Sequence, residues 1–429
     1  MLIPSFLPFL EAKPLYYKEI DHRRVHWAYA VLKEQINHPE TIHIVGTNAK
    51  GSTGRMIAHL AYRSDLKTGH FSSPHIMKFN ERIWLNGNDS SDEVLESAHQ
   101  KLYKILGHEQ SDTLSYFEYT TLLALVVFEK LDLIILEAGL GGEYDATNVC
   151  DKVLSVITPI GIDHQAFLGD TIEEIAETKI RSIQKQALLA PQVYPEVVEV
   201  AQKIAEEKGA ELFLSVQHPT FPLATGVSAF NARHSAFSVE KSDGVFRSTS
   251  PEVERKQEKR QLEQIAKEES WPSYLIDNSI VALQALNLLG INYDMNDLKS
   301  LELFGRFYPL TQNIRIDVGH NPLAAHAIVK ALDEKVVLIY NSLDDKKYEA
   351  VLRILKPKVK RVEIISIASQ RATTKQEIEK ALYSAGLPYR DFDGSLDDGE
   401  RYLVFGSFYV VEAFMKQFDQ KKKRVYVSE

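Results

Sequence analysis

The 429-residue chain has a single cysteine, Cys150, so an internal disulfide is excluded. Nothing in that usage points to an oxidising compartment, and Cys150 reads as a small core filler. Long apolar runs are missing: the longest, Leu122 to Phe128, is far below the length of a membrane span. The apolar start, Met1 to Pro8, has no basic segment, is broken by Pro4 and Pro8 and is soon followed by Glu11. It does not read as a signal peptide, so no membrane partner and a cytoplasmic location are expected. A basic excess is also absent. Fifty Lys and Arg against 59 Asp and Glu leave a net charge of −9, which argues against a nucleic-acid partner held by bulk electrostatics. A local basic pocket for a small anionic substrate stays open. No internal repeat and no low-complexity segment is visible. With 44% hydrophobic and 25% charged residues the chain has globular composition, and its length exceeds one comfortable core. Two or three domains are expected.

Short apolar runs alternate with amphipathic stretches through the first two hundred residues. Strands are expected at Thr41–Val45, Leu133–Leu136 and Val153–Ile157, and helices at Arg55–Arg63, Ser91–Leu106, Tyr116–Leu131 and Thr171–Lys179. That alternation predicts an α/β fold, a mostly parallel sheet with helices on both faces and ligands at the carboxyl ends of its strands. Residues 215–250 lose this periodicity, and Glu252–Ser270 is densely charged, which predicts a solvated helix in an insertion spanning about 215–270. Helical pattern returns at Asp277–Leu289. A second αβ series follows, with strands at Ile314–Asp317, Val336–Tyr340, Arg361–Ile365 and Arg401–Phe405. The change falls between about 293 and 303, giving units 1–298 and 299–429, the second a smaller Rossmann-like domain.

The richest stretch is Gly46-Thr47-Asn48-Ala49-Lys50-Gly51-Ser52-Thr53, set between an apolar run and a helical pattern. Strand, small-residue turn, lysine, hydroxyl pair and helix N-terminus together suit a phosphate: backbone N–H groups and helix dipole favour the anion, Lys50 adds a point charge, and a hydroxyl can reach Mg²⁺. Gly51 follows the lysine instead of preceding it, which separates the loop from the standard G-x-x-x-x-G-K-[ST]. An ordinary βα turn is the alternative.

Other candidates lie just after expected strands. Ser72-Ser73-Pro74 offers a hydroxyl as a hard oxygen ligand, or a plain turn. Glu137 ends an apolar strand and precedes Gly139-Leu140-Gly141-Gly142, as an acidic Mg²⁺ ligand facing a phosphate loop would, or a helix cap. His164 closes Ile157-Thr158-Pro159-Ile160-Gly161-Ile162-Asp163 and is a metal ligand or an ordinary hydrogen-bonded histidine. Lys179 taken alone is a surface lysine. Beside a metal it makes electrostatic sense only as a carbamate, which forms from a neutral amine and therefore needs a lowered pKa. Asp317 can hold a ribose hydroxyl, and Arg306 can act on phosphates from a second domain.

In this order the motifs resemble the folylpolyglutamate synthase/dihydrofolate synthase family, a branch of the Mur ligase superfamily. GTNAKGS, SPHIMKFNERI, LEAGLGGEYDATNV, ITPIGIDH, Lys179, Gly305-Arg306, DVGHNP and Asp345-Lys346 carry the likeness across nearly the whole chain. The resemblance implies an ATP-dependent amide ligase: a substrate carboxylate becomes an acyl phosphate and L-glutamate attacks it. The substrate is dihydropteroate, a reduced folate or both. It implies that Gly46, Thr47, Asn48, Ala49, Lys50, Gly51, Ser52 and Thr53 hold ATP with Asn278, Arg306 and Asp317. Ser73, Glu137 and His164 would hold two Mg²⁺ ions, with Lys179 as N6-carboxylysine, and His320 would sit near the reacting phosphate. Ser115, Phe117, Glu118 and Asp145 would line the substrate site. A monomer is the family-like expectation.

The chain departs from the family pattern at Ala49, where glycine is usual, at Glu143, where arginine is usual, and at Tyr274-Leu275-Ile276-Asp277-Asn278, where HQ-x-x-N is usual. A Mur-type cell-wall amino-acid ligase, which shares the ATP site, is one alternative, and the departures motivate a second, a nucleotide-binding paralogue without ligase activity.

Overall fold

The computed structural model describes residues 3–14, 21, 23–215 and 251–427, so most of the low-periodicity stretch lies outside the described residues. Among those described, two sheets organise the chain. The first contains β1 (Glu40–Val45), β2 (Thr68–Phe71), β3 (Ile83–Leu85), β4 (Asn88–Asp89), β5 (Leu133–Glu137), β6 (Leu154–Ile157), β7 (Gln186–Leu189) and β8 (Glu211–Leu214). Its order is β4-β3-β2-β5-β1-β6-β7-β8, parallel except at β3 and β4. Because β1 lies between β5 and β6, successive connections leave on opposite sides of it, and the crevice at its carboxyl end is the topological switch point.

Side-chain alternation explains why the central strands are apolar throughout. Ile42 and Ile44 of β1 pack with Met56, Ile57, Leu60 and Ala61 of the helix Lys50–Arg63. Ile134 and Leu136 of β5 point the other way, onto the helices Asp92–Thr113 and Tyr116–Phe128. The first of those runs past the expected Leu106 to Thr113, with Gly107 at φ 77° breaking its regularity. The edge hairpin β3–β4 and the strands β7 and β8 were not anticipated.

The second sheet is β9 (Tyr308–Pro309), β10 (Ile314–Asp317), β11 (Val336–Tyr340), β12 (Val359–Ile364), β13 (Tyr389–Asp391) and β14 (Tyr402–Phe405), in the order β13-β12-β11-β14-β10-β9. Leu298, Leu301 and Leu303 pack into the first unit and Phe304 into the second, so the core changes between Leu303 and Phe304. The charged helix, Pro251–Glu268, is not wholly solvated as expected. Leu262, Ile265 and Ala266 are buried in the first core, because these few apolar residues share one helical face. No helix among the described residues is long and apolar enough to cross a membrane.

Candidate active site

The chain leaves β1 through Gly46, whose φ of +149° and surroundings admit no side chain: an added Cβ would lie 2.0 Å from Thr158 Oγ1. Thr47 and Asn48 then donate their N–H groups to Pro159 O at 3.0 and 3.1 Å. Thr47 Oγ1 exchanges hydrogen bonds with Gly161. The first half of the loop is therefore pinned to the segment after β6, and the anion-binding capacity sits in the first turn of the helix beginning at Lys50. Ala49, at φ 70°, takes the left-handed conformation that glycine adopts freely, so this departure carries backbone strain of about 1 kcal/mol. Ser52 and Thr53 are buried behind it.

Glu137, at the end of β5, faces this turn. Its carboxylate lies 3.8 Å from Lys50 Nζ and accepts the Ser73 N–H. Burial raises its pKa, and Lys50, Arg306 and the Ser73 N–H pull it back. A Cβ on Gly51 would meet both Arg306 and Glu137 at 3.2 Å, so the arginine from the start of the second unit already reaches the first helical turn. Nearby, Asn278 Nδ2 donates to Ser52 Oγ at 2.8 Å, tying the helix Ser273–Leu288 to the loop.

On the other side of β1, Lys179 is buried and donates to Gly46 O at 3.0 Å. Burial first, then the charge of Lys50, lowers its pKa to about 7. It is no surface lysine: its helix packs so closely on the glycine-rich loop that a Cβ on Gly142 would lie 2.3 Å from Lys179 O. His164 takes a left-handed φ of 54°, and burial pushes its pKa down to about 4. Its ring is 3.3 Å from Lys346 Nζ. Lys346 pairs with Asp163 at 2.7 Å, and His320 approaches the same carboxylate at 3.5 Å. Burial alone would raise the Asp163 pKa. The His320 hydrogen bond and the charges of His320, Lys346 and His164 instead hold it well below the usual carboxylate range.

Among the described residues no three His, Cys, Asp or Glu side chains converge as a ready metal cage. Glu137 has Lys50 and Gly51 beside it, whereas His164 has Lys346 and Asp163. The Glu137 carboxylate facing an anion-binding turn does fit Mg²⁺, which usually takes one or two carboxylates and completes its shell with water and phosphate oxygens.

Several expected ligands have structural duties. Both Asp145 oxygens are taken by the N–H groups of Leu140, Thr147 and Gly139 and the Thr147 hydroxyl, so it clasps the glycine loop and is not free for substrate. Ser115 and Glu118 form a capping box on the helix Tyr116–Phe128, and Glu118 also pairs with Arg24 at 3.5 Å. Phe117 does approach the candidate substrate loop, because a Cβ on Gly139 would meet its ring at 2.6 Å. Asp317 accepts from Gly319 N, Phe307 N and Tyr274 Oη. Three of about four acceptor positions are thus used, leaving one for a ribose. Sequence reasoning assigned no role to Asp163, Lys346, Asn321 or Tyr274. All four stood inside quoted stretches, ITPIGIDH, Asp345-Lys346, DVGHNP and Tyr274–Asn278, and that was the available signal.

No protein-family model matches the chain. The dihydrofolate synthase/folylpolyglutamate synthase of Buchnera aphidicola subsp. Schizaphis graminum is 30% identical to it over 400 residues, 88% of this chain and 87% of the relative. The crystal structure of Helicobacter pylori folylpolyglutamate synthetase superposes with a TM-score of 0.71 at 36% identity, covering 96% of this chain and 97% of that one. Escherichia coli FolC in complex with DHPP and ADP gives a TM-score of 0.74 at 26% identity, covering 97% of each chain.

Proposed function

The chain belongs to the dihydrofolate synthase/folylpolyglutamate synthase family, and from that membership we infer an ATP-dependent ligase that adds L-glutamate to dihydropteroate, to (poly)glutamylated tetrahydrofolate or to both. The observation that carries this reading is the convergence of Lys50, Glu137 and Arg306 on one helical turn at the switch point. A phosphoryl-transfer site needs an anion cradle, an acidic ligand and a cation on the transferred group, and these three supply them.

In this reading the first turn of the helix Lys50–Arg63 and Lys50 orient the ATP phosphates, Asn278 supports the turn through Ser52, and Asp317 has an acceptor position for the ribose. Arg306 neutralises charge as the γ-phosphoryl passes to the substrate carboxylate. The glutamate nitrogen then attacks the acyl carbon, loses a proton, and the carbon–oxygen bond to phosphate breaks. His320, 3.5 Å from the Asp163 carboxylate, is assigned to that phosphate. Glu137 and Ser73 would hold Mg²⁺, whose contribution is charge neutralisation on the phosphates. A second ion would fall to the His164 side. Lys179, with a pKa of about 7, has the neutral amine that bonds to CO₂ with loss of one proton. We assign it as the candidate N6-carboxylysine. Phe117 and the glycine loop line the folate side, and two domains, expected at 1–298 and 299–429 and divided in their packing between Leu303 and Phe304, enclose the acyl phosphate against water in a cytoplasmic monomer.

The test is phosphate release with ATP, Mg²⁺ and L-glutamate, offered dihydropteroate, tetrahydrofolate or a folate diglutamate, with products read by mass. A glutamyl increment on one class or both identifies the enzyme. Bound ATP with no increment on any of them overturns the ligase reading in favour of an inactive paralogue.

A further inference from the structure

Asn48 of the phosphate loop and Asn321 of the second unit form a reciprocal amide pair. Asn48 Nδ2 donates to Asn321 Oδ1 at 3.1 Å, and Asn321 Nδ2 donates to Asn48 Oδ1 at 2.8 Å. The same Asn321 Oδ1 caps the helix Pro322–Ala331 by accepting from Ala324 N at 2.9 Å, and Nδ2 also reaches Asp163 Oδ2 at 3.4 Å. Asn321 is buried. One side chain thus joins the loop after β1, the loop after β6 and the first turn of a helix in the other unit.

The Asn48 backbone N–H is already committed to Pro159 O and its side chain to Asn321, so neither faces a phosphate. The next residue, Ala49, is held in a left-handed conformation that opens the helical turn where phosphates dock. A shift of the second unit would pull on Asn48 one residue from that turn. The contact is directional at both ends, which a hydrophobic interface is not.

We propose that Asn48 and Asn321 are a positioning pair that couples the shape of the phosphate loop to the docking of the second unit, so that a bound nucleotide is aligned for reaction only when the units are closed. Neither residue touches reacting atoms in this role. The consequence for turnover rests on the ligase reading above, whereas the coupling itself does not.

The experiment compares Asn48→Ala, Asn321→Asp and the double variant with the full-length protein. Aspartate keeps the helix cap but loses the Nδ2 donor. Hydrogen exchange is followed in peptides covering 47–53 and 320–326. Asn48→Ala is expected to speed exchange at 320–326, and Asn321→Asp at 47–53, each by about tenfold, the effect of losing roughly one net hydrogen bond. The double variant should be little worse than either single one. Steady-state assays should show kcat falling about tenfold while the Kd of a non-hydrolysable ATP analogue changes less than about threefold. Changes confined to the mutated unit, or strictly additive effects, overturn the coupling whatever the activity. Variants that show the cross-unit exchange effect, with a wild-type protein that adds no glutamate, leave the coupling standing and refute the ligase reading.

Discussion

Asp277 offers the sharpest physical test of how the helix Ser273–Leu288 is packed. It lies between Tyr274, which reaches Asp317, and Asn278, which reaches Ser52, yet both of its own carboxylate oxygens are buried with no hydrogen-bond partner among the described residues. Burial dominates and pushes its pKa up to about 7 from 3.8, with Lys330 opposing. Between those two values the folded state binds more protons than the unfolded state. Stability from this group is therefore full below about pH 4 and is lost as pH rises towards 7. From pH 5 to pH 8 the loss amounts to about two tenfold steps in proton affinity, or ~3 kcal/mol. Asp277→Asn keeps the shape and removes the titration, although the buried amide retains a pH-independent cost of about 1–3 kcal/mol. Urea unfolding followed by tryptophan emission suits the question, since Trp271 immediately precedes the helix. The variant should be no more stable than wild type at pH 5, and should gain on it by ~3 kcal/mol by pH 8. Stability profiles that run parallel across this range would refute the argument, because they would mean that Asp277 is ionised or protonated alike in both states.

Four further outcomes are expected. Gly46→Ala forces a Cβ to 2.0 Å from Thr158 Oγ1, so calorimetry should show ATP binding weakened by more than about tenfold. Unaltered affinity would mean that the loop is free to shift. Ala49→Gly relieves a left-handed φ while adding freedom to the unfolded chain, and thermal unfolding should show a change between zero and about 1 kcal/mol in favour of glycine. Glu118→Ala should lower stability by ~1 kcal/mol and Glu118→Gln by less, with the folate KM unchanged in both. A tenfold rise in KM for the Gln variant would instead place this carboxylate on substrate. Lys179→Ala should reduce kcat by about 100-fold or more, and added formate should restore part of it if a carbamate is what was lost.

The sequence revealed those parts of the fold whose signal is local and periodic. β10 and β11 coincide with their expected limits because four or five apolar-rich residues there end at polar punctuation. β3 and β4 escaped notice for the opposite reason: Ile83–Leu85 and Asn88–Asp89 are too short for a pattern, and they exist because β2 offers an edge to pair with. The helix Pro251–Glu268 was misjudged because its few apolar residues matter only once the first core exists to receive them. At the site, Lys50, Glu137 and Arg306 were legible because each chemistry-bearing residue follows a strand or glycine. The Asn48–Asn321 pair was not, since its partners are 273 residues apart, and the motifs gave Asn48 to ATP and left Asn321 without a role.

The motifs also turn out to hold two kinds of residue that a sequence cannot tell apart. In Asn80-Glu81-Arg82 the glutamate accepts three consecutive backbone N–H groups, from Ile76, Met77 and Lys78, and the arginine donates to His75 Nδ1 at 2.8 Å. Asp145 does the same for the glycine loop, and Ser115 with Glu118 does it for a helix start. These acidic residues look catalytic in sequence, being charged and placed after strands or before helices. Their lone pairs, however, are spent on fixing loops whose N–H groups would otherwise be unsatisfied. Glu137 differs because its carboxylate has cations at its side and a single backbone donor, Ser73, among the influences on it. Acceptor capacity left over after the protein's own donors are counted separates a candidate ligand from a loop clasp, and by that measure Glu137 stands apart from Glu81 and Asp145.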